Sequence, residues 1–248
     1  MSYEELVAAA LAAPVDGWDF GWMAGRGEGP KPSWSYRDLA GAHTARAQAL
    51  LDVDTGGGEL LASLGPLPPR TWATEAWTPN IPIARRRLEP LGVTVLPVGA
   101  EKLPLPGGSV DLVLNRHGRL VASEVRRVLR PGGVLLTQQV GSEDCADLNE
   151  MLAAPPAHAR GSWTARTATR ALSAAGLRLT DVRQEYPALT FYDVGAVVRH
   201  LRLVAWQVPD FDPWRYDVPL RSLHQRIRAE GRLDVLAHRF LIIAERPS

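Results

Sequence analysis

Between residues 50 and 140, short apolar runs alternate with helix-like patterns, and this alternation is the feature that most restricts the fold. The runs are Leu50–Val53, Thr71–Glu75, Val93–Leu96, Val110–Asn115 and Val134–Val140. Strands separated by helices at this spacing form parallel βαβ units, in which helices cover both faces of one sheet. With further strands at 178–184 and 239–244, we predict an α/β fold with a doubly wound, mostly parallel, seven-stranded sheet.

The remaining segments divide into predicted helices and loops. Helices are expected within residues 1–13 and at 79–91, 122–129, 165–175 and 193–204. Two segments rich in tryptophan, proline or aspartate, 18–34 and 206–216, are predicted loops that could form a small cover over the strand ends. The pattern fits a single domain, with N-terminal helices and cover at about 1–44, a core at 45–145 and a C-terminal half at 146–248.

Composition excludes several classes of protein. The single cysteine, Cys145, cannot form an intramolecular disulfide or a thiolate metal cluster, which suits a reducing compartment and makes the cytoplasm the expected location. No apolar run approaches the roughly 20 residues that a membrane helix needs. No cluster of histidine, cysteine and carboxylate residues has metal-ligand spacing, so no metal is expected. The formal net charge of +1 indicates no general attraction for nucleic acid.

A glycine-rich turn follows the first run of the core. Asp52, Asp54, Gly56, Gly58 and Glu59 succeed one another directly after the apolar residues. Glycine allows a backbone to turn sharply and lets a ligand approach without an intervening side chain. A dinucleotide site or an ordinary tight turn could use the same glycines, so the turn alone does not identify a ligand.

A second acidic residue narrows the choice of ligand. Glu75 ends the next predicted strand, 23 positions after Asp52. A carboxylate in that place can accept hydrogen bonds from both hydroxyls of a ribose. The three acids at the glycine turn would repel a diphosphate, whereas they favour a ligand that carries an ammonium and a sulfonium.

Over roughly residues 45–140, the chain resembles the class I S-adenosylmethionine-dependent methyltransferases. Asp52, Gly56 and Gly58 fit the first motif of that family. This chain departs from the motif at Asp54, which stands where the family usually has its first glycine. The segments 99–104 and 109–113 resemble the third motif, and Glu124 to Gly133, followed by Val134 to Thr137, is typical of the last match. The resemblance implies a Rossmann-like fold, with S-adenosylmethionine as cofactor and S-adenosylhomocysteine as product.

The resemblance also implies a set of cofactor-binding residues. Glu75 corresponds to the ribose acid, and the family's usual aspartate for the adenine amino group is replaced by Gly99, so that the Ala100 amide and stacking would hold the adenine. The full set of expected cofactor-binding residues is Asp52, Asp54, Gly56, Gly58, Glu75, Ala76, Trp77, Gly99, Ala100, Glu101 and Asn115.

The acceptor site is expected at Asn115-Arg116-His117, at the end of the fourth strand. His117 is the candidate general base, although a base is needed only if the acceptor must lose a proton, and His117 could instead order the loop or bind the cofactor. Trp22, Trp206, His238 and His117 are the candidate substrate-binding residues. A tryptophan outside the sheet can equally pin a loop to the core, and a single histidine can be structural.

These features favour methyl transfer to a small, partly aromatic or heterocyclic molecule, by a monomer or homodimer that binds neither membrane nor nucleic acid. RNA methylation stays open as an alternative, because Arg199, Arg202, Arg226 and Arg228 could assemble a basic patch. A third possibility is a regulatory protein that binds S-adenosylmethionine without turnover.

Overall fold

In a computed structural model, residues 1–15, 21–209 and 211–248 are described. They divide into two compact units, which are described separately here. The larger unit comprises residues 33–141, 163–184 and 239–248, and the smaller unit comprises residues 1–32, 142–162 and 185–238. The single-domain division at residues 45 and 146 stays a prediction.

Strands and helices alternate along most of the described chain. The strands are β1 (Gly27–Glu28), β2 (Ala49–Val53), β3 (Arg70–Thr74), β4 (Thr94–Leu96), β5 (Val110–Arg116), β6 (Leu129–Val140), β7 (Arg178–Glu185), β8 (Ala188–Phe191), β9 (Leu233–Leu236) and β10 (Arg239–Glu245). The helices are α1 (Tyr3–Ala12), α2 (Tyr36–Thr44), α3 (Glu59–Ala62), α4 (Ile81–Leu88), α5 (Ala122–Val128), α6 (Ala146–Met151), α7 (Ala165–Ala174), α8 (Val194–Leu203) and α9 (Asp217–Glu230).

The larger unit is built on a seven-stranded sheet with the order β4-β3-β2-β5-β6-β10-β7. The strands from β4 to β6 are parallel, and β10 is antiparallel to β6. The predicted doubly wound, mostly parallel sheet is therefore confirmed. Because parallel strands end on the same side, the carboxyl ends of β2, β3, β5 and β6 lie at one end of the sheet, as does the start of β10.

Strand alternation sends successive side chains to opposite faces of this sheet, and each face has its own apolar core. One core, called the first face below, contains Leu50, Leu112, Leu114, Leu136 and Leu241. The other, called the second face, contains Leu51, Val113, Leu135, Phe240 and Ile242. Both faces are therefore covered, which is why the strands read as continuous apolar runs.

Several elements differ from their predicted bounds for local reasons. The helix expected at 79–91 is α4, and a 3₁₀ turn at Glu89–Leu91 takes its last residues, where Pro90 cannot continue the α-helical hydrogen bonds. The strand expected to begin at Val134 begins at Leu129, which already pairs with Val110; the register then shifts, with Gly132 at φ +75°, before Val134 pairs with Leu112. The helix after the glycine turn, α3, has only four residues.

The smaller unit contains a sheet that the sequence pattern does not predict. Its strands β1, β8 and β9 are antiparallel in the order β1-β8-β9. Each has four residues or fewer, too short for a period of two to stand out from neighbouring helical patterns. The helices α1, α6, α8 and α9 provide most of the apolar core of this unit.

Candidate active site

The glycine turn after β2 leaves open space beside one of its glycines. Gly56 and Gly58 both have left-handed backbone, with φ of +64° and +80°. A Cβ added to Gly58 would lie 2.7 Å from Cγ of Leu88, so this glycine is needed for packing against α4. A Cβ added to Gly56 would meet only Nδ2 of Asn80, at 4.0 Å. The turn therefore offers free volume at Gly56, where a ligand could approach the backbone.

Asp54 adopts the conformation expected of the glycine that it replaces. Its φ is +55°, in the left-handed region that favours glycine but that aspartate tolerates. Its N–H donates to Oγ1 of Thr74 at 3.1 Å, and its carboxylate accepts from the N–H of Arg119 at 2.9 Å. A Cβ on Gly118 would lie 2.7 Å from Cβ of Asp54. The side chain thus holds the loop that follows β5 against the end of β2.

Glu75, which directly follows β3, is a buried carboxyl group beside the same open space. Only 6% of the residue is exposed, and burial raises its pKa, whereas the hydrogen bond from the N–H of Trp77 at 2.7 Å lowers it. Nδ2 of Asn80 is also buried and makes no hydrogen bond of standard geometry with the described residues. It nevertheless lies close enough to Glu75 to lower the pKa of that carboxyl. Glu75 and Asn80 are therefore positioned to bind a polar ligand.

Asp52 is the most strongly perturbed acid of this group. Burial raises its pKa to about 7, and the carboxylates of Asp54 and Glu75 act in the same direction. The hydroxyl of Thr55, which donates to Oδ2 of Asp52 at 2.6 Å, and the charge of Arg116 oppose the rise. Asp54 also raises the pKa of Glu75, so the three acids produce a negative potential that a positively charged ligand relieves.

The residues expected at the adenine lie on two neighbouring loops. Ala76 and Trp77 follow β3 and are exposed, with 47% of Trp77 accessible to solvent. A Cβ on Gly99 would be 3.5 Å from Cβ of Ala76 and 3.2 Å from Oε2 of Glu101, so the loop after β4 adjoins the loop after β3. Ala100 is buried. These loops present an apolar surface with a flat aromatic ring at its edge.

Asn115, near the end of β5, is engaged with the protein itself. Its Oδ1 accepts from Oγ1 of Thr137 at 3.0 Å and also from Nε2 of Gln139, and its Nδ2 donates to the carbonyl of Arg119 at 3.2 Å. Nε2 of Gln139 also donates to the carbonyl of Gly118 at 3.1 Å. The side chain of Asn115 therefore supports the loop after β5, and its predicted cofactor contact stays a prediction.

His117 lies in this loop with left-handed backbone, at φ +64°. Its N–H donates to the carbonyl of Gln138 at 2.8 Å, and its Nε2 is 2.9 Å from Nε2 of Gln138. Loss of hydration in crowded surroundings lowers the pKa of His117, and the charges of Arg116 and Arg239 lower it further. Part of the residue stays accessible to solvent, so the ring is crowded but not enclosed. The imidazole is neutral at neutral pH.

Two aromatic side chains at the start of α2 pack against the ends of β5 and β6. Nε1 of Trp34 donates to Oε1 of Gln138 at 2.8 Å. The hydroxyl of Tyr36 donates to the carbonyl of Leu136 and accepts from the N–H of Asn115, both at 3.2 Å. Sequence reasoning missed Tyr36 and Gln138. The available signal was the change from an apolar strand to Thr137-Gln138-Gln139 at the strand end where ligands bind.

The chain was then compared with known proteins. Residues 51–137 match the family model of a methyltransferase domain. A curated ubiquinone biosynthesis O-methyltransferase of Roseobacter denitrificans is 34% identical over 107 residues, which cover 40% of this chain and 43% of that protein. Residues 51–137 are therefore similar to a methyltransferase domain, in agreement with the resemblance to the class I S-adenosylmethionine-dependent methyltransferases. The match spans less than half the length of this curated relative.

Solved structures share the fold of this chain at low identity. The YcgJ protein of Bacillus subtilis has a TM-score of 0.61 and 18% identity, over 86% of this chain and 98% of that chain. A protein of Bacillus halodurans with a provisional methyltransferase name has a TM-score of 0.59 and 16% identity, over 100% and 99% of the two chains. At such identities the likeness establishes the fold alone.

The segment Glu124 to Gly133, which is typical of the family that the chain resembles, has a structural role in its first half. Nη1 and Nη2 of Arg127 donate to the carbonyls of Leu105 and Leu103, each at 2.7 Å. Glu124 pairs with Arg127 at 2.7 Å and accepts from the N–H of Leu103 at 2.8 Å. The Glu124–Arg127 pair therefore fixes the backbone at Leu103 and Leu105, which precede β5 in the chain.

Three of the predicted substrate-binding residues, Trp22, Trp206 and His238, belong to the smaller unit. His238 is completely buried, its N–H donates to Oδ1 of Asp144 at 2.8 Å, and its ring stacks on Tyr186 with centroids 4.6 Å apart. The guanidinium of Arg26 lies 4.4 Å from the ring centroid of Trp22. Trp206 is 46% exposed. Their contact with substrate stays a prediction, and Trp18 lies outside the described residues.

Two further features concern residues 1–15, 21–209 and 211–248 of the chain. No helix in this part of the chain is long and apolar enough to cross a membrane. Within the same residues, no group of three or more histidine, cysteine or acidic side chains is arranged to hold a metal ion.

Proposed function

We propose that this chain binds S-adenosylmethionine at the carboxyl ends of β2, β3 and β5 and methylates a small aromatic or heterocyclic molecule. The observation that carries the proposal is the pair of buried carboxyl groups, Asp52 and Glu75, together with the open space at Gly56, whose backbone lies close to Glu75. Buried acids without a cationic partner are costly, so they are retained where a ligand needs them.

The residues present fit this cofactor. Glu75 still has acceptor capacity beyond its bond to Trp77, which suits the ribose hydroxyls, and the buried Nδ2 of Asn80 would find an acceptor oxygen there. Asp52 and Asp54 supply negative charge toward the ammonium and sulfonium. The exposed ring of Trp77 is available for stacking on the adenine.

When bound, S-adenosylmethionine would supply a methyl group to which the acceptor atom bonds, while the carbon–sulfur bond breaks and its electron pair leaves on the sulfur of S-adenosylhomocysteine. The protein contributes alignment and exclusion of water. The hydrogen bonds of Asp54 and Asn115 to the 118–119 segment fix the loop after β5, where the acceptor would lie. The proton of a neutral acceptor would pass to solvent or to a nearby base.

Oxygen is the acceptor atom that we favour. The relative from Roseobacter denitrificans is named as an O-methyltransferase of ubiquinone biosynthesis, and its similarity to this chain supports oxygen as the acceptor atom here.

Three of the four arginines that suggested RNA methylation make hydrogen bonds within the protein itself. Nη1 of Arg199 donates to the carbonyl of Ala13 at 3.1 Å, and Nη1 of Arg202 donates to the carbonyls of Leu11 and Ala13 at 3.0 Å. Both guanidinium groups therefore satisfy carbonyls at the end of α1. Nε of Arg226 donates to Glu230 at 3.1 Å. These contacts favour a small acceptor over RNA.

Calorimetric titration with S-adenosylhomocysteine tests the cofactor site. Glu75→Ala should weaken binding by about 10- to 100-fold, because it removes a charge-assisted hydrogen bond worth about 1.5–3 kcal/mol. Glu75→Gln, which keeps an acceptor for the N–H of Trp77, should weaken binding less. The control Glu89→Ala removes an exposed acid whose partner, Arg85, is 3.7 Å away, and it should bind normally.

Unchanged affinity in Glu75→Ala would remove the proposed ribose contact. Release of S-adenosylhomocysteine in the presence of catechol-type acceptors separates an enzyme from a protein that only binds the cofactor. Cofactor binding without turnover on any small acceptor would favour the regulatory alternative.

A further inference from the structure

The hydrogen bonds around Gln138 determine which nitrogen of His117 carries the proton. An indole N–H can only donate, so the atom of Gln138 that lies 2.8 Å from Nε1 of Trp34 must be the amide oxygen. The amide nitrogen of Gln138 therefore faces Nε2 of His117, at 2.9 Å. An amide nitrogen can only donate, so Nε2 of the neutral imidazole accepts and the proton lies on Nδ1.

This arrangement is incompatible with a simple role of His117 as a base. The lone pair on Nε2 is occupied by Gln138, and the pKa of the ring lies well below its usual value. Nδ1 presents an N–H, which donates a hydrogen bond but cannot accept a proton. The neutral ring is thus held as a donor, in a residue that is accessible to solvent.

Arg116 lies on the same face of the sheet as Gln138. Paired residues of neighbouring strands point to the same face, and Gln138 pairs with Arg116 on β5 and with Leu241 on β10. Arg239 is two positions before Leu241, so it shares this face at the start of β10. Arg116 and Arg239 therefore lie on the first face, beyond its apolar core, at the end of the sheet where ligands bind.

Arg116 is available to a ligand. The residue is exposed, and its side chain makes no hydrogen bond or ion pair within 4.0 Å with any residue in the described ranges. Its charge lowers the pKa of both Asp52 and His117, so the guanidinium lies near both groups. A fixed N–H beside a positive charge suits an oxygen that carries negative charge.

We propose that His117, through its Nδ1–H, and Arg116 together bind an anionic oxygen of the methyl acceptor, such as a carboxylate or phenolate. The proposal rests on the proposed function for the identity of the ligand as acceptor. His117 acts here by binding and positioning, and Trp34 and Gln138 are positioning residues that act through it. An acceptor that is already anionic also needs no base to activate the oxygen that is bound.

The first experiment reads the tautomer directly. Long-range ¹H–¹⁵N NMR spectra of histidine-labelled protein, recorded without cofactor, should show His117 protonated at Nδ1 and unprotonated at Nε2. In Gln138→Glu, one carboxylate oxygen still accepts from Trp34, and the other replaces the amide nitrogen that faces Nε2 of His117. Because this oxygen accepts and does not donate, the proton of His117 should move to Nε2 or the ring should become doubly protonated. An Nε2-protonated ring in the wild-type protein would overturn the proposal.

The second experiment tests the anion. Benzoate should shift the His117 Nδ1–H signal in a saturable manner, whereas benzamide at equal concentration should not. Arg116→Gln should weaken the benzoate effect about tenfold, the loss expected for one charge-assisted hydrogen bond. Arg86→Gln, at an exposed position of α4, is the matched control and should leave it unchanged.

Equal shifts with both ligands, or no shift with either, would overturn the anion site. Neither NMR experiment requires turnover or cofactor. Failure of S-adenosylhomocysteine binding would therefore count against the proposed function, and failure of the tautomer or benzoate result would count against this inference alone.

Discussion

The carboxylate of Asp54 accepts a hydrogen bond at 2.9 Å from the backbone N–H of Arg119, 65 positions further along the chain. The contact joins the end of β2 to the loop after β5, and these are the two places where the cofactor and acceptor are expected to meet. Asp54 holds this position with left-handed backbone, at φ +55°. An acid in place of a glycine therefore contributes a contact that glycine could not make.

Replacing Asp54 with glycine should destabilise the protein and loosen the loop after β5. Glycine removes left-handed strain of about 1 kcal/mol, but the lost charge-assisted hydrogen bond to Arg119 costs about 1.5–3 kcal/mol. We expect a net loss of about 1 kcal/mol in urea unfolding and faster hydrogen exchange of the Arg119 amide. Asp54→Asn, which tolerates the same φ and retains an acceptor, should lose less. Unchanged exchange at Arg119 in Asp54→Gly would refute the link.

Substitution of the two glycines of the turn should affect two different properties, which are protein stability at Gly58 and cofactor affinity at Gly56. Gly58→Ala places a methyl 2.7 Å from the buried Leu88 in addition to left-handed strain, so unfolding free energy should fall by about 2–4 kcal/mol. Gly56→Val should instead reduce S-adenosylhomocysteine affinity, because its side chain would enter the open space of the site.

Gly65→Val is the control for Gly56→Val, since Gly65 also has positive φ, at +88°, and no atom within 4 Å of an added Cβ. Both variants should show similar strain in unfolding experiments. Only Gly56→Val should lose affinity in calorimetry, and equal affinities would place the cofactor elsewhere.

Asp52 should make cofactor binding depend on pH near neutrality. Its pKa is raised to about 7 by burial and by Asp54 and Glu75, so below pH 7 the carboxyl is largely neutral. If the positively charged sulfonium binds best to the ionised form, affinity should fall by up to about tenfold per pH unit below 7. Calorimetry between pH 5.5 and about 8.5 measures this slope.

The variant Asp52→Asn should remove most of that slope, and a slope that persists would assign the titration to another group. The free energy of unfolding should depend on pH in the sense opposite to that of cofactor affinity. The folded-state pKa is above the unfolded value near 3.9, so the native state binds more protons between about pH 4 and 7. The Asp52 contribution to unfolding free energy therefore decreases as pH rises through this range and is constant above it.

Local pattern was sufficient to predict the seven-stranded sheet and to single out the acids of the proposed cofactor site, whose role stays a prediction. Apolar runs buried on both faces, such as Leu50–Val53, can form little other than central strands of a covered parallel sheet. Parallel strands end on the same side, so Asp52 and Glu75 had to lie near one another whatever the loops did. The resemblance to a known family supplied the cofactor, which residue pattern alone left open.

The tertiary structure decided the contacts that join distant segments. Trp34 reaches Gln138 across 104 positions, and only this contact fixes the amide orientation and, through it, the proton on His117. The pKa of Asp52 likewise depends on how many protein atoms surround it. The sequence by itself determined which residues end the strands, because strand period and burial are local. It could not determine tautomer, pKa or loop attachment, because these depend on which distant atoms come within hydrogen-bonding range.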